Sequence, residues 1–273
     1  MKRKIKISRL LVLLIPFLIL FGVLTYAFYP KEVQSKQKEL EQNTYTLSDF
    51  LQIAIQPCGH TMYVWGGGWN EEDTGAGKEA VTIGESKNWK NFYELQDASY
   101  NYQDTTYQIH DGLDCSGYVG WAVYNLINTQ NNKDGLVMDA SLMAKEFANM
   151  HLGTYTDRSH VSTHHPGDIM STNGHVYIVL GQCEDGSVLL IHASPPGVRI
   201  CGTVDENGNI DSQAYQLAKD TMETYYPEWC SRYPDYTANI DYLTLYDQFT
   251  WNIDDPQGVQ SMSASEVIQY LFN

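Results

Sequence analysis

The stretch "PGDIMSTNGHVYIVLGQCEDGSVLLIHASPPGVRICG", residues 166–202, decides the fold class of this 273-residue chain, because apolar side chains alternate along it between turns. Alternation with a period of two residues is typical of β-strands. The Asn-Gly, Asp-Gly and Pro-Gly pairs inside the stretch mark turns between neighbouring strands. The stretch therefore predicts four short strands that form an antiparallel meander.

The residues before the meander follow a helical period instead. A helix is predicted over residues 46–59, and a buried helix over 115–128, which carries no charge after its start. Another helix is predicted over 140–151, with Asp139 as its N-cap and Gly153 at its end. Helices that precede an antiparallel meander indicate the α+β class.

Shorter patterns flank these elements. "YVWGG", residues 63–67, reads as a short aromatic strand stopped by glycines, and residues 242–251 alternate like a late strand. Ser263 followed by Glu266 forms a capping box, which predicts a short C-terminal helix.

Two long polar and tyrosine-rich segments, about 70–111 and 203–240, interrupt the predicted domain. Loops of this length inside a domain are usually functional or carry small elements of their own. We expect the first insertion to form a wall or lid over the site described below. A purely structural cover for the core is the alternative.

The N-terminus has the pattern of a membrane anchor. Five cations precede residue 10, and residues 10–28 are 19 uncharged residues, which span roughly 28 Å as a helix. The positive-inside rule then predicts a single-pass membrane protein with a cytoplasmic stub and anchor (1–30), a stalk (31–45) and one external domain (46–273). Cleavage after Ala27, which would release a secreted protein, is the alternative.

The charge balance limits the partners. The whole chain has a net charge of −16, and without its five leading cations it has 12 cations against 33 acids, or −21. Such a surface repels nucleic acid and anionic lipid, so we expect neither as a partner of the external domain. The anchor and stalk suggest an envelope assembly, but no residue identifies a protein partner.

The cysteine count is odd. The five cysteines are Cys58, Cys115, Cys183, Cys201 and Cys230. If Cys115 stays free, the other four cysteines could pair in three ways outside the membrane. Of the possible disulfides we predict Cys183–Cys201. No Cys-x-x-C spacing supports a zinc ribbon, and the histidine-rich loop 160–165 lacks paired ligands, so it reads as a polar loop.

Cys115 stands in "HDGLDCSGYVG", residues 110–120, where it could be a core filler, a disulfide half, a metal ligand or a nucleophile. It follows an aspartate and opens a helix, whose unpaired N–H groups favour a thiolate. His175, which follows a glycine turn and opens a strand, is the best general base. His192 on the next strand could orient it.

Five motifs in this order resemble the NlpC (p-sixty) family of bacterial cell-wall cysteine peptidases. They are "YVWGG", "GLDCSGYV", "PGDIM", "GHVYIVLG" and "LLIHAS". The resemblance implies a papain-like fold whose nucleophile helix packs on an antiparallel sheet. It also implies hydrolysis of peptidoglycan stem peptides, commonly near γ-D-glutamyl bonds, with no metal or cofactor.

The resemblance assigns roles to six residues. Cys115 matches the nucleophile, His175 the base and His192 the orienting group, while Tyr63, Asp114 and Ser116 match positions that contact substrate.

This sequence departs from the family pattern in its long first insertion, in Tyr177 at a usually small position, and in an expanded turn before His192. A wall-peptide binding or scaffold protein, and an amidase or acyl transferase on the same fold, are the alternative functions.

Overall fold

A seven-stranded sheet forms the centre of the protein in the computed structural model, which describes residues 45–128 and 130–273. Its strands are β1 (Gly153–Thr156), β2 (Ile169–Thr172), β3 (His175–Gln182), β4 (Val188–Ser194), β5 (Gly197–Thr203), β6 (Thr237–Ala238) and β7 (Asp247–Trp251). Their order is β1-β7-β2-β3-β4-β5-β6, and every neighbouring pair is antiparallel except β5 with β6. The protein is therefore of mixed α+β class, as the sequence predicts.

Eight α-helices lie around this sheet in the described part of the chain. They are α1 (Leu47–Ile55), α2 (Lys87–Glu94), α3 (Cys115–Ile127), α4 (Met143–Asn149), α5 (Gln213–Tyr225), α6 (Pro227–Arg232), α7 (Asp241–Thr244) and α8 (Ala264–Phe272). Helix α3 packs on β3 and β4 and against α1, and nearly all of its residues are buried. An uncharged helix is stable there because its whole circumference is removed from water.

The membrane anchor and nearly all of the stalk predicted for residues 1–45 lie outside the described residues. None of the helices within 45–128 and 130–273 is long and apolar enough to cross a membrane. Residues 45–273 form one compact unit.

The predicted meander is confirmed as β2 to β5. Ile169 pairs with Ile178, and Ile178 pairs in turn with Ile191, so apolar residues of three strands stack on one face of the sheet. Gly174 and Gly186 have φ angles of +88° and +78° in the turns, where a left-handed backbone favours glycine. The buried helix at Cys115 and the capped C-terminal helix are also confirmed.

Three local predictions are wrong. Residues 63–67 do not form a strand, because the chain there makes only the isolated bridges of Met62 with Gly197 and of Tyr63 with Leu113. The first half of 242–251 is helix α7, and β7 begins at Asp247. Gly153 begins β1 instead of ending a helix, since the preceding helix stops at Asn149.

The predicted Cys183–Cys201 disulfide is also wrong, because all five cysteines are free. Cys201 is buried in β5, whereas Cys183 lies at the partly exposed turn between β3 and β4.

The two insertions pack against each other. Arg232 donates from Nη1 to the carbonyl oxygens of Tyr93 at 3.2 Å and Gln96 at 2.9 Å, and its guanidinium lies 4.6 Å from the centre of the Tyr93 ring. Tyr93 also stacks on Trp229 with ring centroids 5.8 Å apart. Helix α2 of the first insertion and helix α6 of the second therefore form one body, which we call the paired insertions (residues 87–105 and 227–235).

Candidate active site

Asp114 fixes the start of helix α3. Its side chain accepts hydrogen bonds from the Gly117 N–H at 2.7 Å, the Ser116 hydroxyl at 2.9 Å and the Gly66 N–H at 3.2 Å. A carboxylate N-cap satisfies backbone donors that the helix leaves unpaired and complements the helix dipole. The aspartate thus ties the glycine loop at 66–68 to the helix turn that carries Cys115.

The glycines of both motifs are needed for this close approach. A Cβ added at Gly117 would lie 2.0 Å from the carbonyl oxygen of Gly67, and one added at Gly68 would lie 2.6 Å from the Cα of Gly117. No side chain fits between these two backbones. The two Gly-containing motifs, about 50 residues apart in sequence, therefore form one backbone contact.

Cys115 is the first residue of α3, and it is 7% exposed. Its Sγ lies 3.9 Å from the carbonyl oxygen of Gly174, the residue that precedes His175. Burial, and secondly the charge of Asp114, raise the pKa of the Cys115 thiol to about 12, while the backbone N–H groups of Val176 and Ser116 act in the opposite direction. In this conformation the thiol is protonated at neutral pH.

His175, which follows Gly174 in the chain, forms a hydrogen-bonded pair with His192. His175 Nε2 lies 3.0 Å from His192 Nδ1, and the ring centroids are 5.1 Å apart at 79°. Strand β3 begins at His175, and β4 presents His192 from the neighbouring strand. The predicted base and orienting group are therefore in direct contact, and Nδ1 of His175 is the ring nitrogen that this contact leaves free.

Burial keeps both imidazoles neutral. It lowers the pKa of His175 to about 4, with a smaller contribution from the charge of Arg199. The pKa of His192 lies well below its usual value for the same first cause, followed by Arg199 and His175. His192 Nε2 is buried and has no hydrogen-bond partner among the described residues.

Arg199 is a buried cation directly across from His192, since the two residues are partners in the β4–β5 register. Its guanidinium donates to the backbone carbonyl oxygens of Ser194 at 2.6 Å, Gly197 at 3.3 Å and Asp235 at 3.1 Å. These contacts hold the positive charge near the histidines, and no carboxylate among the described residues forms an ion pair with it, so the charge opposes their protonation.

Two tyrosines pack on the histidine pair, and a third, Tyr177, contacts both of them. The ring of Tyr242 on α7 lies 5.4 Å from that of His175 and 5.9 Å from that of His192, and the Tyr246 ring lies 6.3 Å from His175. The Tyr177 hydroxyl donates to the backbone carbonyl oxygen of Tyr242 at 2.7 Å. Tyr177 therefore holds α7 over the histidines.

A cavity of about 360 Å³ opens in front of the thiol, and we call it the Cys115 cavity. Tyr63, Asp114 and Ser116 all line it with Cys115, so the structure brings the three predicted substrate-binding residues to the nucleophile. The oxygens of Asp114 and Ser116 are engaged, however, because Ser116 donates to Asp114 and accepts from the Trp69 indole at 3.0 Å.

Tyr63 differs from those two residues. Its pKa is raised well above the usual value by burial and then by the nearby Cys115 and Asp114, so its hydroxyl stays protonated and can donate a hydrogen bond. Tyr102 packs edge-on against its ring at 5.4 Å, and the Tyr100 hydroxyl donates to its carbonyl oxygen at 2.6 Å. The first insertion therefore supports one side of the cavity.

Sequence reasoning missed several residues of this site. Asp73 and Asp139 line the Cys115 cavity, and Tyr242 and Arg199 contact or face the histidines. Only Arg199 has a signal in the sequence, since it is a lone charge in an otherwise apolar strand. Asp73 and Asp139 come from loops, and Tyr242 comes from a short helix in a segment that alternates like a strand, so the sequence pattern does not place them in the site.

Within residues 45–128 and 130–273, no group of three or more His, Cys, Asp or Glu side chains is arranged to hold a metal ion. His165 lies 3.5 Å from the Asp168 carboxylate, and His164 is buried with neither ring nitrogen hydrogen-bonded to a described residue.

Comparisons of the chain with models of protein families, with curated proteins and with solved structures gave no match, so the function is argued from the site itself.

Proposed function

We propose that this protein is a cysteine peptidase of the NlpC type that hydrolyses peptidoglycan stem peptides outside the cytoplasm. Cys115 is the nucleophile, His175 the general base and His192 the orienting group. The observation that carries the proposal is the 3.0 Å contact between the two histidines, the first of which directly follows Gly174. The carbonyl oxygen of Gly174 lies 3.9 Å from the thiol of Cys115, which opens a helix. A cysteine that only fills the hydrophobic core needs neither a general base nor an orienting group.

The histidine contact defines a working tautomer. To accept a proton at Nδ1, His175 must carry its own proton on Nε2 and donate it to Nδ1 of His192. His192 is then protonated at Nε2 and neutral, which agrees with its lowered pKa. An orienting group that stays neutral fixes the base without adding charge to the site.

The reaction starts from a neutral thiol and a neutral imidazole. As Sγ bonds to the carbonyl carbon of the substrate, the thiol proton moves to Nδ1 of His175, and the carbonyl oxygen becomes an oxyanion. Backbone N–H groups at the start of α3 and the Tyr63 hydroxyl are the donors available to it.

The collapse of this intermediate completes the cycle. His175 returns its proton to the nitrogen of the leaving amine as the C–N bond breaks, which leaves an acyl group on Cys115. Water then attacks the thioester and gives a proton to His175, which passes it to Sγ as the C–S bond breaks and the acid is released. Cys115, His175 and the attacking water therefore account for every proton that moves.

The wall substrate and the location are inferred from the sequence. The order of the five motifs supports an NlpC-type, papain-like arrangement, and the packing of α3 on the antiparallel strands β3 and β4 is consistent with it. The cationic N-terminus and the uncharged segment 10–28 support a single-pass membrane anchor. We assign substrate contact to Tyr63, Asp114 and Ser116, with the bond near γ-D-glutamate.

A second function has one observation in its favour. The thiol is 7% exposed and its pKa is raised to about 12, which suits a wall-peptide binding or scaffold protein with weak catalysis. An amidase or acyl transferase would use the same thiol and differ in the products.

The decisive experiment incubates the full chain and its Cys115→Ala variant with purified peptidoglycan and identifies new ends by mass spectrometry. A peptidase produces new amino and carboxyl ends inside the stem peptide, and the variant produces none. Release of intact stem peptides would indicate an amidase, and new amide bonds an acyl transferase. Retention of the chain on the wall without new ends would support the binding protein.

A further inference from the structure

A second cavity of about 440 Å³ lies next to the Cys115 cavity, and we call it the Tyr107 cavity. The first insertion forms it almost entirely, since residues 69–73 and 107–111 at its two ends supply all of the lining except Gly66. The insertion therefore encloses a space of the size that small ligands occupy.

The two cavities share walls. Gly66, Trp69 and Asp73 line both of them. The Trp69 indole N–H donates to Ser116, the residue after the nucleophile, which fixes the ring at the boundary. A ligand that reaches from one cavity into the other would pass Trp69, so the Tyr107 cavity is positioned to hold a remote part of the same substrate.

The lining that the described residues form combines aromatic surface with polar groups and contains no Lys or Arg. Trp69, Tyr107 and Ile109 provide apolar surface, and the Tyr107 side chain is 64% exposed. Glu71, Asp73 and Asp111 provide carboxylates. A lining without cations disfavours a free carboxylate or phosphate as the ligand.

We propose that the Tyr107 cavity is a saccharide subsite, which binds a neutral N-acetylhexosamine ring of the glycan strand while the attached peptide enters the Cys115 cavity. This inference rests on the proposed wall substrate and deepens it. Sugar rings pack their C–H faces on aromatic rings, and carboxylates accept hydrogen bonds from their hydroxyl groups.

The mixture of polar groups favours a saccharide over an amine. An ammonium group offers only donors and needs only acceptors. The lining also contains donors, namely the amide of Gln108, the hydroxyl of Tyr107 and the imidazole of His110. Nδ1 of His110 contacts the Glu79 carboxylate at 3.0 Å, and this contact leaves Nε2 of the same ring for a ligand. Hydroxyl and N-acetyl groups need donors and acceptors together, as this lining provides.

The test measures binding of di-N-acetylchitobiose to the full chain carrying Cys115→Ala, by NMR titration, so that turnover plays no part. Lysinamide serves as the amine probe. We expect chitobiose to bind in the millimolar range and Tyr107→Ala to weaken it about fivefold, the loss expected for one aromatic contact. Tyr107→Asn should do the same, and asparagine tolerates the backbone φ of +65° at this position.

Tyr155→Ala is the matched control, because this exposed tyrosine lies on β1, away from both cavities. The inference is wrong if chitobiose does not bind, if lysinamide binds in its place, or if the Tyr107 and Tyr155 variants behave alike. Wall cleavage without chitobiose binding would overturn the saccharide subsite alone. Chitobiose binding without wall cleavage would support the subsite and overturn the peptidase.

Discussion

Removing the Tyr242 ring should raise the pKa of His175. Burial is the main cause that lowers this pKa from its ordinary 6.5 to about 4. Water admitted by a Tyr242→Ala substitution would stabilise the protonated imidazole, so the pKa must move up. Arg199, the second cause, would remain in place and keep the value below 6.5.

The geometry sets the size of this change. Among the described residues, three aromatic rings have centroids within 6.3 Å of the His175 ring, those of His192, Tyr242 and Tyr246. Because Arg199 accounts for part of the shift, an equal share for each ring sets an upper limit of about 0.8 of a pH unit on the rise in pKa when one ring is lost, or about sixfold in the protonation constant. His192 should move in the same direction, because Tyr242 also covers it.

NMR titration of histidine ring signals in the full chain measures this pKa without reference to activity, and a His175→Gln variant assigns the signal. Tyr242→Phe keeps the ring and should leave the midpoint in place. The midpoint on the acid side of the pH–rate profile for peptide hydrolysis should move to higher pH by the same amount in Tyr242→Ala, because His175 must be unprotonated to act as the base. An unchanged or lowered midpoint in Tyr242→Ala would refute the view that this ring buries His175.

Three further predictions concern the nucleophile, the histidines and the helix start. Cys115→Ser should lower wall-peptide hydrolysis by about a thousandfold or more with an unchanged melting temperature, because a neutral imidazole activates a hydroxyl poorly; undiminished release of peptides would contradict the mechanism. His175→Ala should be as severe as loss of the thiol, whereas His192→Asn should cost about 10- to 100-fold, since an amide oxygen can still orient the base; equal losses in kcat would show that His192 does more. Gly117→Ala should lower the free energy of unfolding in urea by about 1–3 kcal/mol, because the added methyl would lie 2.0 Å from a backbone oxygen. Gly75→Ala is its control, since a methyl added there has no atom within 4 Å.

The regular elements could be predicted because each has a local cause. Alternation produced β2 to β5, and the capping box at Ser263 produced α8. Strand β1, by contrast, has no apolar alternation, and it exists because its backbone pairs with β7 from about 100 residues away. Pairing over that distance leaves no local pattern in the sequence.

The core of the candidate site was predictable for the same reason. Cys115 and His175 each open an element, where capping and turn residues are recognisable. The neighbouring residues that set the pKa values of Cys115 and His175 could not be predicted. Tyr242 reaches the histidines from a helix in a segment that alternates like a strand, and Asp73 reaches the cavity from the first insertion.

The contact between α2 and α6 has a consequence for attempts to change specificity by exchanging segments. Trp229 lies under Tyr93, and Arg232 uses its donors on carbonyl groups of residues 93 and 96. A chimera that receives only one of the paired insertions would expose the aromatic face of the other and leave the guanidinium without its acceptors. Residues 87–105 and 227–235 must therefore be transplanted together, as a cassette encoded in two separate pieces.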